Sequence, residues 1–157
     1  MKKKICVLTT SRADYGLLKP LVLGLKKEKK FKTIFTVTGT HFVKKYGYSV
    51  DEILKDKIKN DKKILINLIN KTSSDNISFL AGEYMKHFSK FLNENKPNYI
   101  ILLGDRYEVL SAAITAYIMN IPIIHIAGGE VTTGSYDDGF RHSITKLSDI
   151  HFVTTTQ

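Results

Sequence analysis

The chain has 157 residues, 43% hydrophobic and 25% charged, enough for one sizeable core, too few for two typical domains and too apolar for a disordered segment. Its net charge of +9 raises nucleic acid as a partner, but the lysines are scattered without interleaved aromatics or a recognition motif, so we expect none. The lone Cys6 excludes an internal disulfide framework, and a reducing cytosol is the simplest compartment.

Met1-Lys2-Lys3-Lys4 resembles the start of a signal peptide, but the apolar run behind it turns polar at Thr9-Thr10-Ser11 and is too short for one. No segment approaches the roughly 18 apolar residues of a membrane span, so a soluble protein without a membrane partner is expected. That first run, Ile5–Thr10, reads as a buried strand. Leu17, Leu18, Leu21, Val22 and Leu25 then predict a helix, with Pro20 best placed in its first turn. Further apolar runs follow at Thr33–Thr38, Ile64–Ile69, Tyr99–Gly104, Pro122–Ala127 and His151–Thr154. Before the fourth of these six, Ile77, Leu80, Ala81, Tyr84, Phe88, Phe91 and Leu92 recur at helical spacing, with Ser74 or Asp75 as N-cap. This helix should stop near Asn95, because Pro97 restricts the residue before it. Val109, Ala112, Ala113, Ala116 and Tyr117 form another stripe, small enough to approach a sheet closely. The alternation predicts an α/β fold with a doubly wound, mostly parallel, six-stranded Rossmann-like sheet. The chain stops after the sixth run without a closing helix, which reads as one domain, residues 1–157, of something longer.

Polar residues gather where the strands end, the edge at which open α/β sheets bind ligands. Ser11-Arg12-Ala13-Asp14-Tyr15-Gly16 is not a dinucleotide-binding glycine loop. Arg12 offers a fork of donors to a phosphate or carboxylate; alternatively, Asp14 caps the helix and Arg12 pairs with it. Gly39-Thr40-His41 should project an imidazole from the same edge, either to donate to a substrate hydroxyl or phosphate or to stand as a plain surface or turn histidine. In Gly104-Asp105-Arg106, Asp105 can take a proton and Arg106 can hold a phosphate, or Asp105 can cap the next helix. His125 reads as a satisfied core histidine, whereas Gly128-Gly129 allow positive φ and place Glu130 at the mouth of the site. Asp137 and Asp138 stand four residues before Arg141 and His142, a spacing that suits structural pairs and an acid/base constellation alike.

These motifs, in this order, resemble the UDP-N-acetylglucosamine 2-epimerases, most closely the hydrolysing branch that feeds sialic-acid and related nonulosonic-acid synthesis. The likeness runs the length of the chain. It implies the N-terminal of two Rossmann-like domains in a GT-B arrangement, inactive by itself and homodimeric in the complete enzyme. It also implies elimination of UDP across C1 and C2 of the sugar to a 2-acetamidoglucal, then hydration to free N-acetylmannosamine, with no metal or redox cofactor. Asp105, Glu130 and Asp137 are the implied catalytic acids. Arg12, Asp14, His41, Arg106, Asp138, Arg141 and His142 are the implied substrate-binding residues. Many relatives carry Glu where this chain has Ala127, so either Glu130 takes over part of that role or the substrate differs. The loop before Asp137 is one residue longer, which leaves Asp137 and Asp138 as alternatives. Enzymes acting on nucleotide-linked 2,4-diacetamido-2,4,6-trideoxyhexoses share the pattern. A GT-B glycosyltransferase domain and a non-catalytic nucleotide-binding module are the competing classes.

Overall fold

The computed structural model describes residues 2–56, 58, 62–63 and 74–154. Six parallel strands form one sheet: β1 (Lys3–Thr9), β2 (Phe31–Val37), β3 (Lys62–Lys63), β4 (Tyr99–Leu103), β5 (Ile123–Ile126) and β6 (Ile150–Phe152). Their order is β3-β2-β1-β4-β5-β6. It reverses between β1 and β4, and a crevice opens at such a switch point beyond the carboxyl ends of the strands. Five strands have three or more residues and lie within two residues of their predicted positions. The predicted run Ile64–Ile69 lies outside the described residues, although the two-residue β3 immediately precedes it.

Helices α1 (Arg12–Lys27), α2 (Val50–Lys55), α3 (Ser74–Asn95), α4 (Tyr107–Ile118) and α5 (Asp138–Leu147) cover the sheet, with 3-10 turns at Gly39–Phe42 and Lys44–Tyr46. Successive strand residues face opposite ways, so β1 divides between two cores. Ile5 and Val7 join Tyr15, Leu18 and Val22 of α1, while Cys6 and Leu8 join Leu80, Tyr84 and Phe88 of α3 and Val109 and Ala112 of α4. Burial on both faces explains the unbroken apolar runs. Full burial of a side chain such as Phe88 contributes about 2–3 kcal/mol. Burial also pushes the Cys6 thiol up to about 12, which leaves it a packing residue rather than a nucleophile.

Local expectations at Pro20, Leu17 and Tyr117 are corrected. Pro20 lies well inside α1; it is exposed, and on the solvent side the Gly16 carbonyl it crowds can tilt toward water. Leu17 and Tyr117 are 69% and 59% exposed, because the helical spacing of the buried residues (Tyr15, Leu18 and Val22; Val109, Ala112, Ala113 and Ala116) leaves both off the sheet-facing stripe. The helix α3 ends at Asn95 as predicted, its side chain closing on the Phe91 carbonyl at 2.7 Å.

Candidate active site

At the β1 end, Ser11 caps α1 and forms a capping box with Asp14. The Asp14 carboxylate accepts hydrogen bonds from the Thr10 amide (2.9 Å), the Ser11 amide (3.0 Å), the Thr10 hydroxyl (2.7 Å) and the Thr9 hydroxyl (2.5 Å). Asp14 therefore organises the loop with both oxygens occupied by its own chain. Gly39 holds the neighbouring loop against it: at φ +66 a Cβ would lie 2.4 Å from the Thr10 carbonyl oxygen, which instead accepts the Thr40 amide at 2.8 Å.

That close approach turns His41 inward, against the expectation that it projects from the edge. The ring is fully buried, with Nε2 2.9 Å from Thr9 Oγ1 and Nδ1 2.8 Å from Ser49 Oγ. Thr9 has one proton to give and Asp14 takes it, so Nε2–H donates to Thr9 and a neutral ring accepts at Nδ1 from Ser49. Burial lowers the His41 pKa, outweighing the carboxylates of Asp14 and Glu52, which act the other way. Arg12 does not pair with Asp14. Its exposed guanidinium meets Glu52 of α2, Nε at 3.0 Å and Nη2 at 2.6 Å.

At the β4 end, Gly104 turns the chain at φ +83. Asp105 does not cap α4; the N-cap is Arg106, without a side-chain cap bond. Asp105 Oδ2 instead accepts from Nη2 of Arg141, 36 residues further on. Arg106 makes a two-pronged contact with Glu108, Nε–Oε2 3.1 Å and Nη2–Oε1 2.7 Å.

The β5 end supports this arrangement. His125 is buried as expected, donating from Nε2 to the Gly104 carbonyl at 2.9 Å, with Nδ1 3.2 Å from Thr145 Oγ1. Burial lowers its pKa despite the Gly104 hydrogen bond. Gly128 is needed for space: a Cβ there would lie 2.5 Å from His125 Nδ1 and 2.8 Å from Thr145 Oγ1. Positive φ falls on Ala127 (57°) and Gly129 (76°), so the expectation for Gly128 is corrected.

Arg141 of α5 ties the loops together. It binds Asp105, Asp138 Oδ1 (2.9 Å), Thr132 Oγ1 (3.0 Å) and the Glu130 carbonyl (3.0 Å). Burial is the largest influence on its guanidinium and disfavours the charge, but Asp105, Asp138 and Glu130 outweigh it and raise the pKa. The expected four-residue side-chain pairs do not form. Asp138 turns to Arg141 one step earlier and accepts the Thr132 amide at 2.9 Å. Asp137 is the N-cap of α5, with no side-chain cap bond and its residue exposed. His142 is exposed and lines an apolar groove with Leu110 and Ile114 of α4. Glu130 is exposed, and Oε1 accepts from the Thr154 hydroxyl at 2.6 Å.

Asp105, Arg141, Asp138 and the Glu130 backbone are thus brought together, with Asp137 at the adjoining helix start. Asp14 and His41 are brought together beneath the other loop. Sequence reasoning missed Glu52, Ser49 and Glu108. Glu108 carried a signal, because it falls on the same helical stripe as Ala112 and Thr115, both buried. Among the described residues, no group of three or more His, Cys, Asp or Glu side chains is gathered in a way that could hold a metal ion, and no helix is long and apolar enough to cross a membrane. Chemically, the β4–β5 side offers carboxylates for proton transfer, and the loops after β1 and β4 offer two guanidinium groups for an anion.

Comparison with known proteins identifies a family and a fold. The chain matches the UDP-N-acetylglucosamine 2-epimerase family over residues 24–157. It is 39% identical over 155 residues to polysialic acid biosynthesis protein P7 of Escherichia coli, covering 99% of this chain and 39% of that protein. It is also 39% identical over 155 residues to the GDP/UDP-N,N'-diacetylbacillosamine 2-epimerase (hydrolyzing) of Campylobacter jejuni, covering 98% of this chain and 39% of that one. Its fold matches the UDP-GlcNAc 2-epimerase of Neisseria meningitidis bound to UDP-GlcNAc, with TM-score 0.81 and 21% identity over 96% of this chain and 39% of that one. The chain spans about two fifths of the length of the curated relatives it matches. It belongs to the UDP-N-acetylglucosamine 2-epimerase family.

Proposed function

We propose that this chain is the N-terminal Rossmann-like domain of a GT-B-type, two-domain cytoplasmic enzyme, a hydrolysing nucleotide-sugar 2-epimerase. The observation that carries the reading is the clasp of Asp105 by Arg141 beside Asp137 and Glu130 at the carboxyl edge of β4 and β5. Removing a weakly acidic proton from sugar C2 needs a positioned carboxylate, and expelling a nucleoside diphosphate needs cationic donors. Asp105, Glu130 and Asp137 share the proton transfers; Arg12 and Arg106 take the diphosphate. Elimination across C1 and C2 releases UDP and leaves a 2-acetamidoglucal. Water then adds, giving free N-acetylmannosamine when the substrate is UDP-N-acetylglucosamine, a product suited to sialic-acid-type synthesis.

A second substrate reading has its own support. Relatives at 39% and 37% identity are named diacetylbacillosamine 2-epimerases. A 2,4-diacetamido-2,4,6-trideoxy sugar follows the same chemistry at C1 and C2. By itself the chain should not turn over, because a cleft enzyme divides its contacts between two domains. The complete enzyme should be a homodimer, with the apolar groove between α3 and α4, of about 440 Å³ and lined by Ile77, Met85, Leu110, Ile114 and Phe140, covered by a second copy.

The test is proton and phosphorus NMR of the full-length parent enzyme in heavy water. With UDP-N-acetylglucosamine, free UDP and C2-deuterated N-acetylmannosamine are expected. Deuterium exchange at C2 with UDP still attached would assign the reversible epimerase instead. Turnover of only the diacetamido sugar would select the second substrate, and sugar transfer without C2 exchange would assign a glycosyltransferase.

A further inference from the structure

Glu108 is a carboxylate that the proposed mechanism does not use. Its side chain is fully buried, whereas that of Arg106, its ion-pair partner, is 37% exposed. The acid sits in the first turn of α4, near Tyr84 and Tyr107, whose phenol pKa values are raised first by burial and then by the Glu108 charge. Stability alone gives little reason for such a placement, since replacing a buried ion pair by packed apolar residues is often neutral or stabilising. The geometry gives a better one. Two donors of the Arg106 fork, Nε and one N–H of Nη2, are committed to the two oxygens of Glu108. A two-pronged contact fixes the plane of a guanidinium as well as its position, leaving Nη1 and the other N–H of Nη2, which bond to none of the described residues, as the edge that can meet a ligand.

Arg12 makes a useful contrast. Its pair with Glu52 is exposed on both sides, 71% and 41%, so solvent competes for it and the head can exchange partners at small cost. Arg106 has no such freedom.

We propose that Glu108 is a positioning residue, which locks the Arg106 guanidinium at the end of β4 so that its remaining donor edge is preset for the diphosphate of a nucleotide. The inference rests on the nucleotide-sugar reading above and extends it to a residue that touches no substrate.

The test uses the full-length parent enzyme with UDP, or GDP where UDP does not bind, as the probe, by isothermal titration of wild type, E108Q, R106A and the double variant R106A/E108Q. E108Q should weaken UDP binding on the order of tenfold to a hundredfold, the scale at which misplacing a binding group is felt. R106A should weaken it at least as much. In the R106A background, E108Q should add less than about twofold, because residues acting as one unit do not give additive losses. Wild-type affinity in E108Q, or losses that add, would overturn the proposal while leaving the nucleotide reading intact. Failure of the wild type to bind either UDP or GDP would instead overturn the nucleotide reading and the proposal with it. If E108Q loses its cooperative melting transition, Glu108→Asp replaces it, keeping the charge but falling one methylene short of the double contact. A folded E108D with weakened UDP binding supports the proposal, and one with wild-type affinity overturns it.

Discussion

At the β1 and β2 end of the sheet, an acid and a histidine are turned inward: Asp14 is 7% exposed and His41 fully buried. At the β4 and β5 end, Asp105 is partly exposed and Glu130 and Asp137 are exposed. The residue types are alike, but their partners differ. Asp14 accepts from two amides and two hydroxyls of its own loop, which commits both of its oxygens to holding that loop. Asp105 is held through one oxygen by Arg141, which fixes its place without consuming it. Each half also keeps one buried histidine, His41 or His125, as a strut. A carboxylate engaged by four donors of its own loop builds that loop, and one held through a single oxygen keeps acceptor capacity for a further partner.

The largest effects should separate the halves most clearly. Asp105→Asn in the full-length parent should lower turnover by about a hundredfold or more while changing urea-unfolding stability by no more than about 1 kcal/mol. Near-wild-type turnover would remove Asp105 from the chemistry. In the other half, Gly39→Ala should destabilise by about 3 kcal/mol, combining left-handed strain with a backbone clash. Gly129→Ala shares the positive φ but meets nothing within 4 Å, so about 1 kcal/mol is expected. Equal costs in urea melts would show that the Thr10 contact is not what requires Gly39. Asp14→Asn should cost about 2 kcal/mol, because it leaves donors of the capping box without an acceptor. A neutral effect would mean that water or the asparagine oxygen serves the loop equally well.

The buried histidines test a feature that the halves share. Both have pKa values lowered by burial, so in acid the unfolded chain binds protons that the folded chain does not. Their contribution is intact above the ordinary imidazole value of about 6.5. It is lost as pH falls from there toward the lowered folded values, at up to about 1.4 kcal/mol per pH unit for each ring. Urea unfolding between pH 7.5 and 5 should show this fall, and a shallower fall in a His125→Gln variant would assign that ring its share, leaving the share of His41. The smallest effect is expected at the exposed Arg12–Glu52 pair. Glu52→Gln should change stability by less than about 0.5 kcal/mol, and a loss several times larger would make this pair part of the built half of the site.

Legibility in the sequence followed the range of the interactions involved. Strands such as Tyr99–Leu103 were visible because both faces are buried, and a strand covered on both sides is an unbroken apolar run. The α3 and α4 stripes were visible because burial repeats at the helical period. Pro20 was misplaced because a proline on the solvent side of a helix is tolerated only by virtue of the side it faces. No helix was anticipated at α2 or in the 3-10 turns after β2, which are too short for a periodic signal. The pairs drawn from four-residue spacing, Asp137 with Arg141 and Asp138 with His142, gave way to Arg141 bridging Asp138, three residues before it on the same helix, and Asp105, because the loop after β4 brings a second carboxylate to the guanidinium that spacing along α5 does not reveal.

By itself, the amino-acid sequence determined the alternation of apolar runs and amphipathic helices, the gathering of Arg12, Asp105, Arg106, Glu130 and Asp137 at strand ends, and the family to which that ordered set belongs. These follow from spacing along the chain, which local geometry translates directly into faces and edges. Only the tertiary structure decided which of those residues remain open to solvent and which hold the loops. That choice depends on placing β1 beside β4, on Gly39 folding one loop over Thr10, and on Arg141 reaching Asp105 across 36 residues. Burial and long-range hydrogen bonding set those roles, and neither is a property of any single stretch of chain.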